Sequence, residues 1–251
     1  MKKCTIITSI CMAAFILSAC GGKTDTTSST KKDDTGKNTT KTVESNTNDT
    51  TEETTEKVSA KEIELVDSGY SVSEEGDYIY WCAVIKNPDE AIGYEFHKII
   101  LTAYDSEGSV LANEEQTMNI IAPGETQAFG SLMSTNGGVP DKVEFSVESG
   151  DTMTGSSTYI PSAGFEAIDV NERKDPDYED EVTFTGKIKN KTELDCESVC
   201  VVLVLKKDGK IVYGNDTFID NLKAGQEKAF EINEYNLPEY DSYEISAIDW
   251  S

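Results

Sequence analysis

Residues Ile79-Tyr80-Trp81-Cys82-Ala83-Val84-Ile85-Lys86-Asn87 and Val182-Thr183-Phe184-Thr185-Gly186-Lys187-Ile188-Lys189-Asn190 are two versions of one stretch. In each, apolar or small residues recur at every second position and the run ends on Ile-Lys-Asn. A period of two is the signature of a half-buried strand. It places Ile79, Trp81, Ala83 and Ile85 on one face, and Val182, Phe184, Gly186 and Ile188 on the matching face of the second copy. Both faces are expected to point inward, with Trp81 and Phe184 buried between sheets.

The correspondence continues downstream. Asp105-Ser106-Glu107-Gly108 matches Lys206-Lys207-Asp208-Gly209, Ala122-Pro123-Gly124-Glu125 matches Lys223-Ala224-Gly225-Gln226, and Ala128-Phe129 matches Ala229-Phe230. The offset is 103 residues at the first match and 101 at the later ones, which assigns a two-residue difference to one loop. Repeats of about 100 residues are domains rather than solenoid units. Alternating strands and Gly-containing turns dominate each copy, and no helical period is sustained. The fold class expected is all-β: two tandem immunoglobulin-like antiparallel β-sandwiches, domain 1 over 58–160 and domain 2 over 161–251, each long enough for its own core. Val199 to Leu205, the longest apolar run after residue 20, reads as a buried strand.

The order apolar-x-Gly/Ala-x-Ile-x-Asn, a strand, an Asp turn with Gly, then Pro/Ala-Gly and Phe resembles the FxLYD domain, a small immunoglobulin-like module of bacterial and archaeal surface proteins. Leu101-Thr102-Ala103-Tyr104-Asp105 keeps the Tyr and Asp of the naming motif. Val202-Leu203-Val204-Leu205-Lys206, the match at offset 101, keeps neither. The resemblance implies a fold and no enzymatic activity.

At the other end, Lys2 and Lys3 precede an apolar stretch from Ile6 to Leu17, too short to cross a bilayer comfortably. Leu17-Ser18-Ala19-Cys20 resembles the lipobox of bacterial lipoproteins. That resemblance implies a signal peptide over 1–19, cut before Cys20, whose thiol carries the lipid. The expected localisation is the outer face of the cell membrane, with the membrane as a partner through Cys20. Residues 20–57 then read as anchor and disordered tether. Thirteen of the positions from 21 to 57 are Thr and almost none is apolar, so ordering entropy has nothing to offset it. Such a tether has a root-mean-square span of about 35 Å, and about 120 Å when taut.

The net charge is −25, and nearly all of the excess lies after residue 57. Nucleic-acid binding needs basic surfaces against phosphates and is excluded as a class. Three cysteines follow the anchor. Cys196 and Cys200 are about 13 Å apart in extended chain, too far for a disulfide, so no disulfide framework is expected and Cys200 reads as core.

His97, the single histidine, opens the strand ending at Tyr104 and is expected to be partly exposed. No nucleophile elbow, phosphate loop or HExxH is present, so no catalytic residue and no cofactor are assigned. Asp175-Pro176-Asp177-Tyr178-Glu179-Asp180-Glu181 carries alternate oxygen ligands of the kind Ca²⁺ takes, at Asp175, Asp177, Glu179 and Glu181. It lacks the Gly of an EF-hand, and the matching Glu74-Glu75-Gly76-Asp77 favours a solvated loop. Tyr159, Tyr178, Tyr235, Tyr240 and Tyr243 would suit a carbohydrate or peptide surface where they cluster. The reading is a non-catalytic binding or structural module whose partner is an envelope protein or polysaccharide. An accessory or solute-binding subunit of an envelope transport machine and a hydrolase with a nonstandard site stay open beside it.

Overall fold

The computed structural model describes residues 60–153, 158–174, 176–178 and 180–251, within a compact unit spanning Glu56–Ser251. The signal peptide expected at 1–19, the anchor Cys20 and the tether at 20–57 lie outside the described residues.

The first copy contributes β1 (Glu64–Val72), β2 (Tyr78–Lys86), β3 (Gly93–Glu95), β4 (Lys98–Tyr104), β5 (Val110–Thr117), β6 (Ile120–Ile121), β7 (Thr126–Ser134), β8 (Lys142–Glu148) and β9 (Asp151–Met153). A 3-10 turn at Ser162–Gly164 leads into β10 (Phe165–Lys174), β11 (Glu181–Asn190), β12 (Cys196–Lys207), β13 (Lys210–Leu222), β14 (Glu227–Tyr235) and β15 (Ser242–Asp249). The sheets are β1-β2-β7, β5-β4-β8 and the small β6-β3-β9 in the first copy, and β10-β11-β14 and β13-β12-β15 in the second. Every pairing is antiparallel and stays within one copy. The fold is an all-β antiparallel sandwich of immunoglobulin-like character.

The inward faces are those the period of two marks. Ile79, Trp81, Ala83, Ile85, Phe184 and Ile188 are fully buried, and Val182 nearly so. Ala83 pairs with Phe129, and Gly186 with Phe230. A small residue at this point makes room for the ring: a Cβ on Gly186 would sit 2.8 Å from the Phe230 ring. The repeated asparagine ties each β2-type strand to its neighbouring loops. Asn87 Nδ2 donates to the carbonyls of Ile92 and Ala122, and Asn190 Nδ2 to those of Leu194 and Leu222. Both asparagines are fully buried, so each satisfies acceptors that would otherwise be orphaned in the interior.

The pairing corrects the alignment of the copies. Ala103 lies opposite Ala112, and Leu205 opposite Tyr213. Leu101 and Ala103 therefore correspond to the inward Leu203 and Leu205, not to Val202 and Val204. The two extra residues of the first copy are divided, one before β4 and one in its hairpin, because a turn absorbs a residue without changing which face points inward.

His97, expected to be partly exposed, is instead interior. The long β12 has a broken counterpart in the first copy, β3 and β4, interrupted at Phe96-His97. Phe96 adopts φ 57 and is 57% exposed. His97 follows this turn in step with the inward Ile99, Leu101 and Ala103, and is fully buried. Adjacent strands bend at the same level. Phe96 N–H donates to Asn119 O and Met118 N–H to His97 O, while Gly150 adopts φ 73 against the backbone of Glu95 and Phe96.

The two copies share packing. Val199, Val201, Leu203 and Leu205 on one face of β12 join the core of Phe184. Cys200, Val202 and Val204 on the other face join that of Trp81. Sheet β13-β12-β15 is thus covered on both sides. Its approach to β1-β2-β7 depends on a row of small residues, Gly69, Cys82 and Gly130, which are paired in register. β13 crosses this row. A Cβ on Gly214 would lie 2.5 Å from Cys82 Cβ and 2.6 Å from the Trp81 carbonyl, and one on Gly69 would lie 1.9 Å from Ile211 O. Tyr80 stacks on Tyr213 at 4.8 Å and Phe129 on Trp250 at 5.3 Å, adding aromatic contacts across the boundary. Strand pairing stays within each copy, whereas side-chain packing crosses between them.

Candidate functional site

A groove of about 760 Å³ opens where β10 ends, β11 begins and the chain passes from β14 to β15. Tyr240 and Tyr243 form its aromatic wall, backed by Phe184 at centroid distances of 6.5 and 5.2 Å. The Tyr240 hydroxyl donates to Glu172 Oε1 at 2.8 Å. Burial and this carboxylate raise the phenol's pKa, so the ring stays neutral. Asp180, Glu239 and Asp241 give the rim its acidity, with Lys174 and Lys207 between them. Lys207 Nζ is 3.8 Å from Glu239. Asp241 accepts the Asp208 N–H at 2.8 Å, which holds its carboxyl below the usual range. Aromatic faces and fixed carboxylates suit a sugar ring or a cationic side chain.

Of the acidic run, Asp180 lines this groove. Asn236 N–H donates to Asp180 O. Of the four Ca²⁺ candidates, Asp175 and Glu179 lie outside the described residues. Asp177 is exposed, and Glu181 pairs with Tyr235 at the start of β11. Among the described residues no three His, Cys, Asp or Glu side chains gather as metal ligands.

The five tyrosines do not form one cluster. Tyr240 and Tyr243 line the groove, and Tyr178 and Tyr235 are exposed. Tyr159 lies at the junction of the copies. There its hydroxyl is 3.0 Å from both Glu125 oxygens and accepts from Gln127 Nε2 at 2.6 Å. Glu125 also accepts the Ser162 N–H and hydroxyl at 2.7 Å, pinning the start of the second copy to the first. Sequence reading missed this junction and the Glu172–Tyr240 bond, since each joins residues with no local relationship. Cys82, Cys196 and Cys200 are free and buried, and burial pushes the Cys82 thiol up to about 12.

Half-buried Asp216 and fully buried His97 have opposite effects on stability. Asp216 faces the first copy from β13. Burial and the nearby Glu234 raise its pKa to about 6, against the bond from Ser131. Glu234 is itself buried and accepts from Tyr213 and Asn215. His97 is depressed to about 4 by burial. Asp216 binds a proton more readily folded than unfolded, so its contribution is present at low pH and lost as pH rises through about 6. His97 binds one less readily folded, so its contribution is present above about 6.5 and lost as pH falls toward 4. The two oppose each other in mild acid. Thermal melts between pH 7 and 4 should separate them: His97→Leu should gain stability on acidification, and Asp216→Asn should lose it. Identical pH profiles for both variants would contradict the assignment.

No protein-family model matches the chain, and no curated protein does. Among solved structures, a calcium-binding mutant of Bacteroides uniformis β-glucuronidase 2 is similar at 13% identity and TM-score 0.19, over 67% of this chain and 23% of that one. The chain thus spans about a quarter of the glucuronidase. An oxalate decarboxylase is similar at 7% identity and TM-score 0.14, over 72% of each chain. Likenesses at this level carry no argument about activity.

Proposed function

We propose that this chain is a lipid-anchored, non-catalytic binding module of the bacterial envelope. It is held to the outer face of the membrane by Cys20 and built from two FxLYD-like sandwiches. The surface offered to an envelope protein or polysaccharide is the Tyr240/Tyr243 groove. The observation that supports this is the groove's position. Lys61, near the N-terminal side of the described residues, bonds Asp89 beside Asn87 through its N–H. Glu125 and Ser162 link that end of the first copy to the Asn190 end of the second. β11 runs ten residues from there to the groove, about 30 Å of strand. The groove lies at the far end of the second copy from Lys61.

Cys20→Ala is expected to move the protein from the detergent phase to the aqueous phase, because the thiol is the lipid acceptor and stable anchoring needs acyl chains. A variant that stays membrane-bound after alkaline washing would place the anchor elsewhere. For the groove, purified full-length protein should retain a polysaccharide or protein fraction from the envelope. Tyr240→Ala, which removes one ring of the aromatic wall and the Glu172 bond, should release it. Equal retention by the variant, with its melting temperature unchanged, would exclude the groove.

A further inference from the structure

The turn joining β7 to β8 carries Thr135-Asn136-Gly137-Gly138, and Asn136-Gly137 is the one Asn-Gly pair in the sequence. Asn136 and Gly137 are both exposed and adopt φ 56 and 87. Glycine has no side chain to shield its amide nitrogen, and nothing lies within 4 Å of where a Cβ on Gly137 would be. The bond closing the turn, Gly138 N–H to Thr135 O, is long at 3.3 Å. The turn can therefore open without breaking a strong contact. Asn221 and Asn236 share the left-handed backbone, but Leu222 and Leu237 follow them and crowd the nitrogen.

We propose that Asn136 is a self-modification site, converting to aspartate and isoaspartate without an enzyme. The Gly137 nitrogen attacks Cγ of Asn136. The N–Cγ bond forms, the Cγ–Nδ2 bond breaks, and ammonia leaves with the proton given up by Gly137. Water then opens the five-membered imide at either carbonyl. Opening at one gives aspartate, and at the other a β-linked isoaspartate. No electron transfer is involved.

The second copy indicates which product disturbs the fold. Asp208-Gly209 forms its own two-residue turn with φ 50 and 74, so an ordinary aspartate fits this backbone. The β-linked product adds a methylene to the main chain. It strains the adjoining anchor, where buried Thr135 donates through Oγ1 to Gly76 O at 2.7 Å and through N to Asp77 O at 2.8 Å.

The test is peptide mapping by mass spectrometry of the full chain, held folded or in urea at mildly alkaline pH. Isoaspartate is distinguished by its chromatographic shift. The folded chain should lose the amide at 136 before any other asparagine has changed, with isoaspartate among the products. Asn136→Gln should retain its amide at 136. A folded chain that keeps Asn136 while the urea-treated chain converts would show that the turn protects it, and would overturn the proposal. So would earlier conversion at another asparagine.

Discussion

Gly214→Ala is expected to cost the folded unit about 3 kcal/mol, because the added methyl has no space between two sheets. Its Cβ would fall 2.5 Å from Cys82 Cβ and 2.6 Å from the Trp81 carbonyl. These atoms belong to the middle strand of a sheet and cannot turn aside as a flexible side chain can. The sheets must separate, and the packing of Cys200, Val202 and Val204 separates with them. Gly69→Ala meets the Ile211 carbonyl at 1.9 Å and should have a similar effect. The double variant should cost much less than the sum, since sheets parted by one methyl have room for the other. Urea midpoints for the two single variants and the double variant decide this. Full additivity would mean that the two glycines act at unconnected places.

Trp81→Ala and Phe184→Ala are each expected to cost about 3–5 kcal/mol, the range for large core deletions, and a large share of a domain's stability. The tandem repeat by itself predicts that each variant melts its own copy, since linked domains usually meet through modest interfaces. The shared sheet predicts otherwise. β12 supplies one face to the Trp81 core and the other to the Phe184 core, so loss of either core exposes a strand the other needs. Calorimetry of the full chain should show one cooperative transition lowered by both variants. Two transitions, each moved by one variant alone, would mean that the copies are thermodynamically separate.

The candidate site was partly legible. The acidic run and the tyrosines were visible as residue types, and Tyr240 and Tyr243 do share a groove. The bond from Tyr240 to Glu172 spans 68 positions and has no local signal. His97 is buried in step with Ile99, Leu101 and Ala103, so strict alternation already pointed it inward, against the expected partial exposure; the turn at Phe96 before it is what has no local signal. A left-handed phenylalanine is a conformation its composition disfavours, so tertiary packing decided it.

By itself the sequence determined the strand pattern, the inward faces and the duplication. These follow from local rules: side chains alternate along a strand, and the same period with the same Ile-Lys-Asn ending recurs. It also supplied Val199–Leu205 without alternation, although that run alone does not say what covers each face. The tertiary structure decided that the first copy covers the outer face, through a glycine row that has no counterpart in the repeat. Gly69 and Gly130 correspond to charged or polar positions in the second copy, whose equivalent sheet faces away. Whether a small residue marks a turn, a weak strand or a close approach depends on what stands opposite it, and that partner is set by packing rather than by neighbours in the chain.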